Sequence, residues 1–172
     1  RRREEGKRRN AKKLAEQIIR KYKKESPKGT PLVCACEKGR FEDVKLLTTA
    51  LKEMVNQVGS DSQGYAKTPL MVAAQNEHFH TVQHLIEQGE ADPEITNKHD
   101  WNALHFAARK NKRSTNLIQI LLDHMSIDSI NKQSQWGRSP LDRAYRNTGP
   151  IKQEIIDLIR SKGGLRLERN FM

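Results

Sequence analysis

The chain has 172 residues, of which 35% are hydrophobic, 5% aromatic and 31% charged, and its net charge is +11. That length is enough to bury a shared core, and the composition suits a helix-rich protein with a thin or elongated core better than a compact barrel or sandwich. No apolar run approaches the roughly eighteen residues that would span a membrane, and the charge is concentrated: residues 1–28 hold thirteen Lys and Arg against four Glu, a net of +9, while the remainder stands at +2.

The protein therefore reads as a basic arm on a near-neutral body. The arm opens with Arg1–Arg3 in place of an apolar stretch. No secretory signal is visible, and with Arg rather than Met at position 1 the chain is expected to be a processed or truncated product. Over Ala11–Lys24, Leu14, Ile18 and Tyr22 fall at i, i+4 and i+8, with Ile19 beside them. That spacing predicts a heavily basic helix with one narrow apolar stripe. Three roles fit such a helix: a cap on the open end of the neutral body, an arm that meets RNA or an acidic protein surface, or a nuclear-import or membrane-surface segment. Four large apolar residues without Trp or Phe argue against the membrane.

From Thr30 onward a tripeptide recurs: Thr30-Pro31-Leu32, Thr68-Pro69-Leu70, Asn102-Ala103-Leu104 and Ser139-Pro140-Leu141, at separations of 38, 34 and 37 residues. Small residues come next at Ala35-Cys36, Ala73-Ala74, Ala107-Ala108 and Ala144. A second apolar stretch then arrives, as in Val44-Lys45-Leu46-Leu47, Val82-Gln83-His84-Leu85-Ile86, Ile118–Leu122 and Ile155–Ile159. Thr or Ser before Pro-Leu is a helix cap followed by Pro at the first helical position. Two small residues one turn later let neighbouring helices approach closely. The Val82, Leu85, Ile86 spacing makes one apolar stripe on a second, antiparallel helix. Neither helix buries its stripe alone, and stacked copies solve that. Thr148-Gly149-Pro150 is expected to restart the last helix by the same cap-then-Pro logic.

Two strings carry a resemblance. Thr68-Pro69-Leu70-Met71-Val72-Ala73-Ala74, with Gly89-Glu90-Ala91-Asp92-Pro93 after it, and Asn102-Ala103-Leu104-His105-Phe106-Ala107-Ala108 resemble the ankyrin signature. The resemblance implies an all-α solenoid of antiparallel helix pairs with hairpin-like loops over residues 29–164, with repeats starting near 29, 67, 101 and 138. A basic helical arm or cap over 1–28 precedes it, and a tail over 165–172 comes after Gly163-Gly164. Eight main repeat helices and one N-terminal helix are expected. Val55-Asn56 and Ile130-Asn131 match the start of the family's strand. Asn56 to Thr68 is nevertheless four residues longer than Asn131 to Ser139, so the loop 57–67 is enlarged. Lys112–Thr115 adds about two residues between the helices of repeat 3.

Ankyrin proteins usually bind through hairpin tips and the exposed side of each first helix. Carried onto this chain, the tips hold Tyr65 and Lys67, then Lys98, His99 and Trp101, then Gln135, Trp136 and Arg138. The first helices hold Glu37 and Lys38, Gln75 and Asn76, Arg109 and Lys110, and Arg146 and Asn147. Tyr65, Trp101 and Trp136 supply one aromatic to each of three successive hairpins, and Trp, Tyr and Arg most often anchor interfaces. An aromatic just before the Pro-Leu turn also has a structural reading, as packing on a neighbouring hairpin.

Other chemistry is sparse. His78, His80 and His84 lie close together, but a zinc site needs about four ligands, and no Cys or second His pair is near in sequence. Surface positions on the second helix are expected for them, and no metal. His105 fills the family's His slot and is expected to bond loop backbone between repeats. Cys34 and Cys36 are too close to staple a fold, and free cysteines point to an intracellular, reducing compartment, with cytoplasm, nucleus and organelle left open. No nucleophile–base pair or phosphate-cradling Gly loop is seen. The expectation is no enzyme, no cofactor and no small-molecule substrate. Two functions stand: a scaffold or adaptor binding another protein through the concave face, or a structural subunit of a large assembly whose arm contacts RNA or an acidic surface.

Overall fold

The computed structural model describes residues 2–27 and 29–166. A long helix, α1 (Arg2–Glu25), comes first. Four helix pairs stand after it: α2 (Pro31–Glu37) with α3 (Phe41–Ala50), α4 (Pro69–Gln75) with α5 (Phe79–Glu87), α6 (Ala103–Lys110) with α7 (Asn116–Asp123), and α9 (Pro140–Tyr145) with α10 (Lys152–Ser161). These are the eight repeat helices expected. A short helix, α8 (Ile127–Ile130), precedes the fourth pair. The enlarged loop folds into a small antiparallel hairpin, β1 (Gly59–Ser60) and β2 (Ala66–Lys67). No described helix is long and apolar enough to cross a membrane.

The first helix of each pair is short and sharply started. The Thr30, Thr68 and Ser139 hydroxyls accept from the backbone N–H of Val33, Met71 and Asp142, each at 3.3 Å, and the Asn102 carboxamide accepts from His105 N–H at 3.2 Å. Each contact satisfies one N–H that the helix itself leaves unpaired. The four helices stack in one row, α2 on α4 on α6 on α9. Ala35, Cys36, Ala73, Ala74, Ala107, Ala108 and Ala144 are wholly buried along that row, where small side chains permit close approach. Leu32, Leu70, Leu104 and Leu141 fill the space between repeats, and Val44, Val82, Ile118 and Ile155 seal the outer helices.

At the open end α1 packs on α3 and α2. Its buried stripe is Ala15, Ile18 and Tyr22, with Ile19 partly covered. Leu14, expected in that stripe, is 44% exposed; the seam runs at i, i+3 and i+7 from Ala15, the spacing of one face of a 3.6-residue helix. The Tyr22 hydroxyl donates to Asp43 Oδ2 at 2.8 Å, and Glu25 pairs with Lys38. Lys12, Lys13, Arg20, Lys23 and Lys24 face solvent.

Two local expectations are corrected. Thr148 does not cap the last helix, which begins at Lys152; the Asn147 side chain instead accepts from Gly149 N–H at 2.6 Å and holds the turn. Ile130 ends a helical turn capped by Ser126 rather than starting a strand, and Val55 closes a turn of 3-10 helix. Of the tail, residues 167–172 lie outside the described residues.

Candidate partner-binding face

Three hairpins project from one side of the stack, and each is closed in the same way. Gly64 N–H donates to Asp61 O at 2.9 Å, Asp100 N–H to Asn97 O at 2.9 Å, and Gly137 N–H to Ser134 O at 2.8 Å. Gly64, Asp100 and Gly137 adopt φ of 79°, 58° and 64°, a conformation that Gly takes without strain and Asp tolerates. The first residue of each turn braces it from the side. The Asp61 carboxylate accepts from Tyr65 N–H at 2.8 Å, the Asn97 carboxamide from Trp101 N–H at 3.1 Å, and the Ser134 hydroxyl from Arg138 N–H at 3.3 Å.

Counted back from the helix caps Thr68, Asn102 and Ser139, two rows of side chains emerge. Three residues before each cap stand Tyr65, His99 and Trp136; one residue before stand Lys67, Trp101 and Arg138. Tyr65 and Trp136 are exposed at 52% and 55%, and His99 lies 5.1 Å from the Trp136 ring. The expected row of Tyr65, Trp101 and Trp136 therefore mixes two registers. Trp101 belongs to the inner row, where it packs on His105 and Phe106 at ring separations of 5.9 and 4.9 Å and meets Trp136 edge-on at 6.4 Å.

Lys67 lines the groove between the rows but is not an exposed tip residue. It is 3% exposed, ion-paired with buried Asp61, bonded to Gln75 Oε1 at 2.6 Å, and set over the rings of Tyr65 and Phe106. A buried ammonium needs such partners because desolvation is costly. Gln75 is thereby a positioned side chain, half-buried against Lys67.

Between the rows runs a groove of about 380 Å³ that brings together Tyr65, Lys67, Gln75, His99, Trp101, Arg109, Lys110 and Trp136, with Gln63, Asn97 and Phe106 completing it. A second, open cavity of about 590 Å³ shares Trp101, Arg109 and Trp136 with it and adds Arg138 and Arg143. Arg143 lies 3.9 Å over the Trp101 ring and is 5% exposed. Burial, then Arg109 alongside, holds its guanidinium down to about 10.

A sequence model of ankyrin repeats (3 copies) matches residues 6–97 and 70–169. The chain belongs to the ankyrin-repeat family. It is also 32% identical over 99 residues to an ankyrin repeat-containing protein of Schizosaccharomyces pombe, a stretch that is 56% of this chain and 39% of that protein. The match thus spans about two fifths of that relative's length. Ankyrin repeats are in general protein–protein interaction modules, built by stacking units that expose a continuous face.

Within the ankyrin frame the remaining candidate residues divide. Arg109, Lys110 and Arg146 are exposed on the first helices, but Arg146 lines neither cavity. Lys98 and Gln135 are exposed, and the Gln135 carboxamide donates to Lys98 O, tying one hairpin to the next. Asn76 is exposed and donates to Val72 O at 2.9 Å, closing its own helix. Asn147 is no surface contact: it is buried and donates to Ala108 O at 3.0 Å and Asn111 O at 2.7 Å, stapling the last two ankyrin repeats together. Glu37 and Lys38 are likewise engaged, on Ser62 and Glu25.

Two of the three clustered histidines do similar work. His78 Nε2–H donates to Glu37 O at 3.2 Å, and His84 Nε2 meets the Thr48 hydroxyl at 2.8 Å. Both bridge ankyrin repeats instead of lying free on the surface. His105 bonds as expected, donating Nε2–H to Arg138 O at 3.1 Å while Nδ1 accepts from Asn102 N–H. Cys34 and Cys36 are free and buried, and burial, with Cys34 alongside, pushes the Cys36 thiol up. Sequence reasoning misses Gln63, Asn97 and Phe106 in the groove and Arg143 in the second cavity, and of these Arg143 is the charged one. Its signal is its slot, two after the repeat leucine, which holds Val72 and Phe106 in the two preceding repeats.

Proposed function

We propose that this ankyrin chain is a scaffold or adaptor-type module that binds a protein partner through its concave face. The observation that supports the reading is the groove in which Tyr65, Trp101, Phe106 and Trp136 meet Gln75, Arg109 and Lys110. Rigid aromatics bury much area at small entropic cost, and Arg adds forked hydrogen bonding; both are enriched among interface anchors. The hairpins that carry them are braced by side-chain caps before any partner arrives, which reduces the ordering cost of binding.

The test is affinity purification of the full chain and of a Tyr65→Ala/Trp136→Ala variant, each with and without nuclease, followed by mass spectrometry. A partner retained by the parent chain, lost by the variant and indifferent to nuclease is the expected result. The assembly-subunit reading draws support from one feature, the solvent-facing Lys and Arg of α1. It requires nuclease-sensitive capture with a steep salt dependence that disappears when residues 1–24 are removed. The burial of Ala15, Ile18 and Tyr22 favours the capping role for that helix, since terminal repeats need their open face covered.

A further inference from the structure

We infer that Arg109, Arg138 and Arg143 form a subsite for an acidic side chain of a protein segment lying along the hairpin tips; the inference rests on the concave-face reading above. The three arginines line one cavity with Trp101 and Trp136. Among the described residues none of the three is paired with a carboxylate. Asp142, the nearest acid in sequence to Arg138 and Arg143, is engaged in its own capping box with Ser139 and in a pair with Arg166.

Arg143 is the decisive member. It is 5% exposed, lines the cavity, and its Nε has no hydrogen-bond partner among the described residues. A buried charge without a counter-ion is costly and is normally paired. Here Trp101, stacked at 3.9 Å, supplies a cation–π contact, but a ring face does not replace an acceptor. The depressed pKa of Arg143 reflects first the burial of its charge and second the like charge of Arg109, with Asp142 opposing both only in part. A carboxylate seated between Arg109 and Arg143 relieves desolvation and repulsion at once, and a guanidinium fork matches its two oxygens.

The main chain of Arg138 is fixed on both sides. Its N–H donates to Ser134 Oγ, and its carbonyl accepts from His105 Nε2 at 3.1 Å and Ser134 N–H at 3.0 Å. Charge distribution argues for an acidic peptide over a nucleic acid. A nucleic acid needs cations along a phosphate track. The adjoining groove offers Arg109 and Lys110 beside Tyr65, Phe106 and two tryptophans, and its third cation, Lys67, is already consumed by Asp61. An acidic residue flanked by apolar ones fits both cavities together.

A phage-displayed random dodecapeptide library panned on the full chain tests this. Enriched peptides should carry Asp or Glu beside an apolar residue, and an Arg109→Ala/Arg138→Ala variant of unchanged melting temperature should lose that acidic preference. An enriched peptide, made synthetically, should bind at least tenfold more tightly than its Glu→Gln counterpart. Binding is read directly, because the chain's two tryptophans, Trp101 and Trp136, both line the cavity. Peptides that need Tyr65 and Trp136 yet ignore the arginines would overturn the acidic subsite and leave the concave-face reading standing. Peptides indifferent to both sets, or no enrichment at all, would overturn both. Arginine-dependent quenching by a decauridine RNA, with no acidic preference in the library, would assign the cluster to nucleic acid instead.

Discussion

His105 Nε2–H donates to the carbonyl oxygen of Arg138 at 3.1 Å, joining the buried face of the third repeat to the turn that presents Trp136. On the other side of the ring Nδ1 accepts from Asn102 N–H at 3.2 Å, which requires a neutral ring, and burial, then Arg143 nearby, holds the His105 pKa down to about 3. The unfolded chain titrates this His near ~6.5. Between those values the unfolded state binds the extra proton, so stability is full above about pH 6.5 and falls as pH drops. The loss between about pH 7.5 and 5 should be about 2 kcal/mol. His84, lowered by burial and then by Lys45, adds in the same direction. The carboxylates held low by partners, such as Glu94 and Asp123, act only at more acid pH. Denaturant melts at about pH 7.5, 6.5, 5.5 and 5 check the slope, and His105→Gln should flatten it. An unchanged slope in the variant would remove His105 from the account.

The buried Lys67–Asp61 pair gives a second test. Asp61 also accepts from Gln63 and Tyr65 N–H, so it braces the hairpin as well as neutralising Lys67. Lys67→Ala strands a carboxylate and should cost roughly 3–5 kcal/mol. Lys67→Met with Asp61→Asn keeps volume and turn bonds and should cost clearly less. Equal losses in the two variants, measured by urea melts, would place both side chains in solvent.

Core packing supplies the third. Leu70 and Leu104 are buried between repeats, and Lys110 is exposed. Leu70→Ala or Leu104→Ala should cost about 2–5 kcal/mol through the cavity each leaves, whereas Lys110→Ala should stay within about 0.5 kcal/mol. Similar losses from both kinds of change would mean the repeat register is wrong.

The repeat fold is legible in the sequence because its signals are local. A hydroxyl or carboxamide cap, a Pro and two small residues lie within seven positions of one another in α2, α4 and, with Ala for Pro, α6. The features that escape a sequence reading depend on neighbours a repeat away. Lys67 and Asn147 look like surface residues until their partners are known; Asn147 is buried on Ala108 and Asn111. The aromatic row is ambiguous in sequence because the first hairpin carries two more residues between its turn and its cap than the second. Counting from the turn aligns Tyr65 with Trp101, while counting from the cap aligns it with Trp136. Arg143 escapes notice because a basic residue on a short helix reads as solvated, although its repeat slot is an apolar one.

The cap is the fourth test. Tyr22 is buried and bonded to Asp43, and burial, then that bond, pushes its phenol up. Tyr22→Ala should cost roughly 3 kcal/mol or more and Tyr22→Phe about 1 kcal/mol. Deleting residues 1–24 should lower the melting temperature while leaving affinity for a concave-face ligand unchanged. Lost affinity at unchanged stability would make α1 a binding arm.

The two rows of the hairpin face lead to the last prediction. Tyr65 and Trp136, on the outer row, leave more than half of their surface in solvent, so truncating either removes little packing. Each Ala variant should keep its stability within about 0.5 kcal/mol and weaken a concave-face ligand by about 2 kcal/mol or more. Trp101, on the inner row, touches Phe106, His105, Trp136 and Arg143. Trp101→Ala opens a hole beneath a buried guanidinium and should cost about 3–5 kcal/mol of stability, with any change in affinity arising from that loss. Melting curves and peptide titrations on the three variants separate the roles. Should Trp136→Ala lose stability and keep its affinity, the outer row belongs to packing between hairpins, and recognition must move to the arginine cavity or to the basic face of α1.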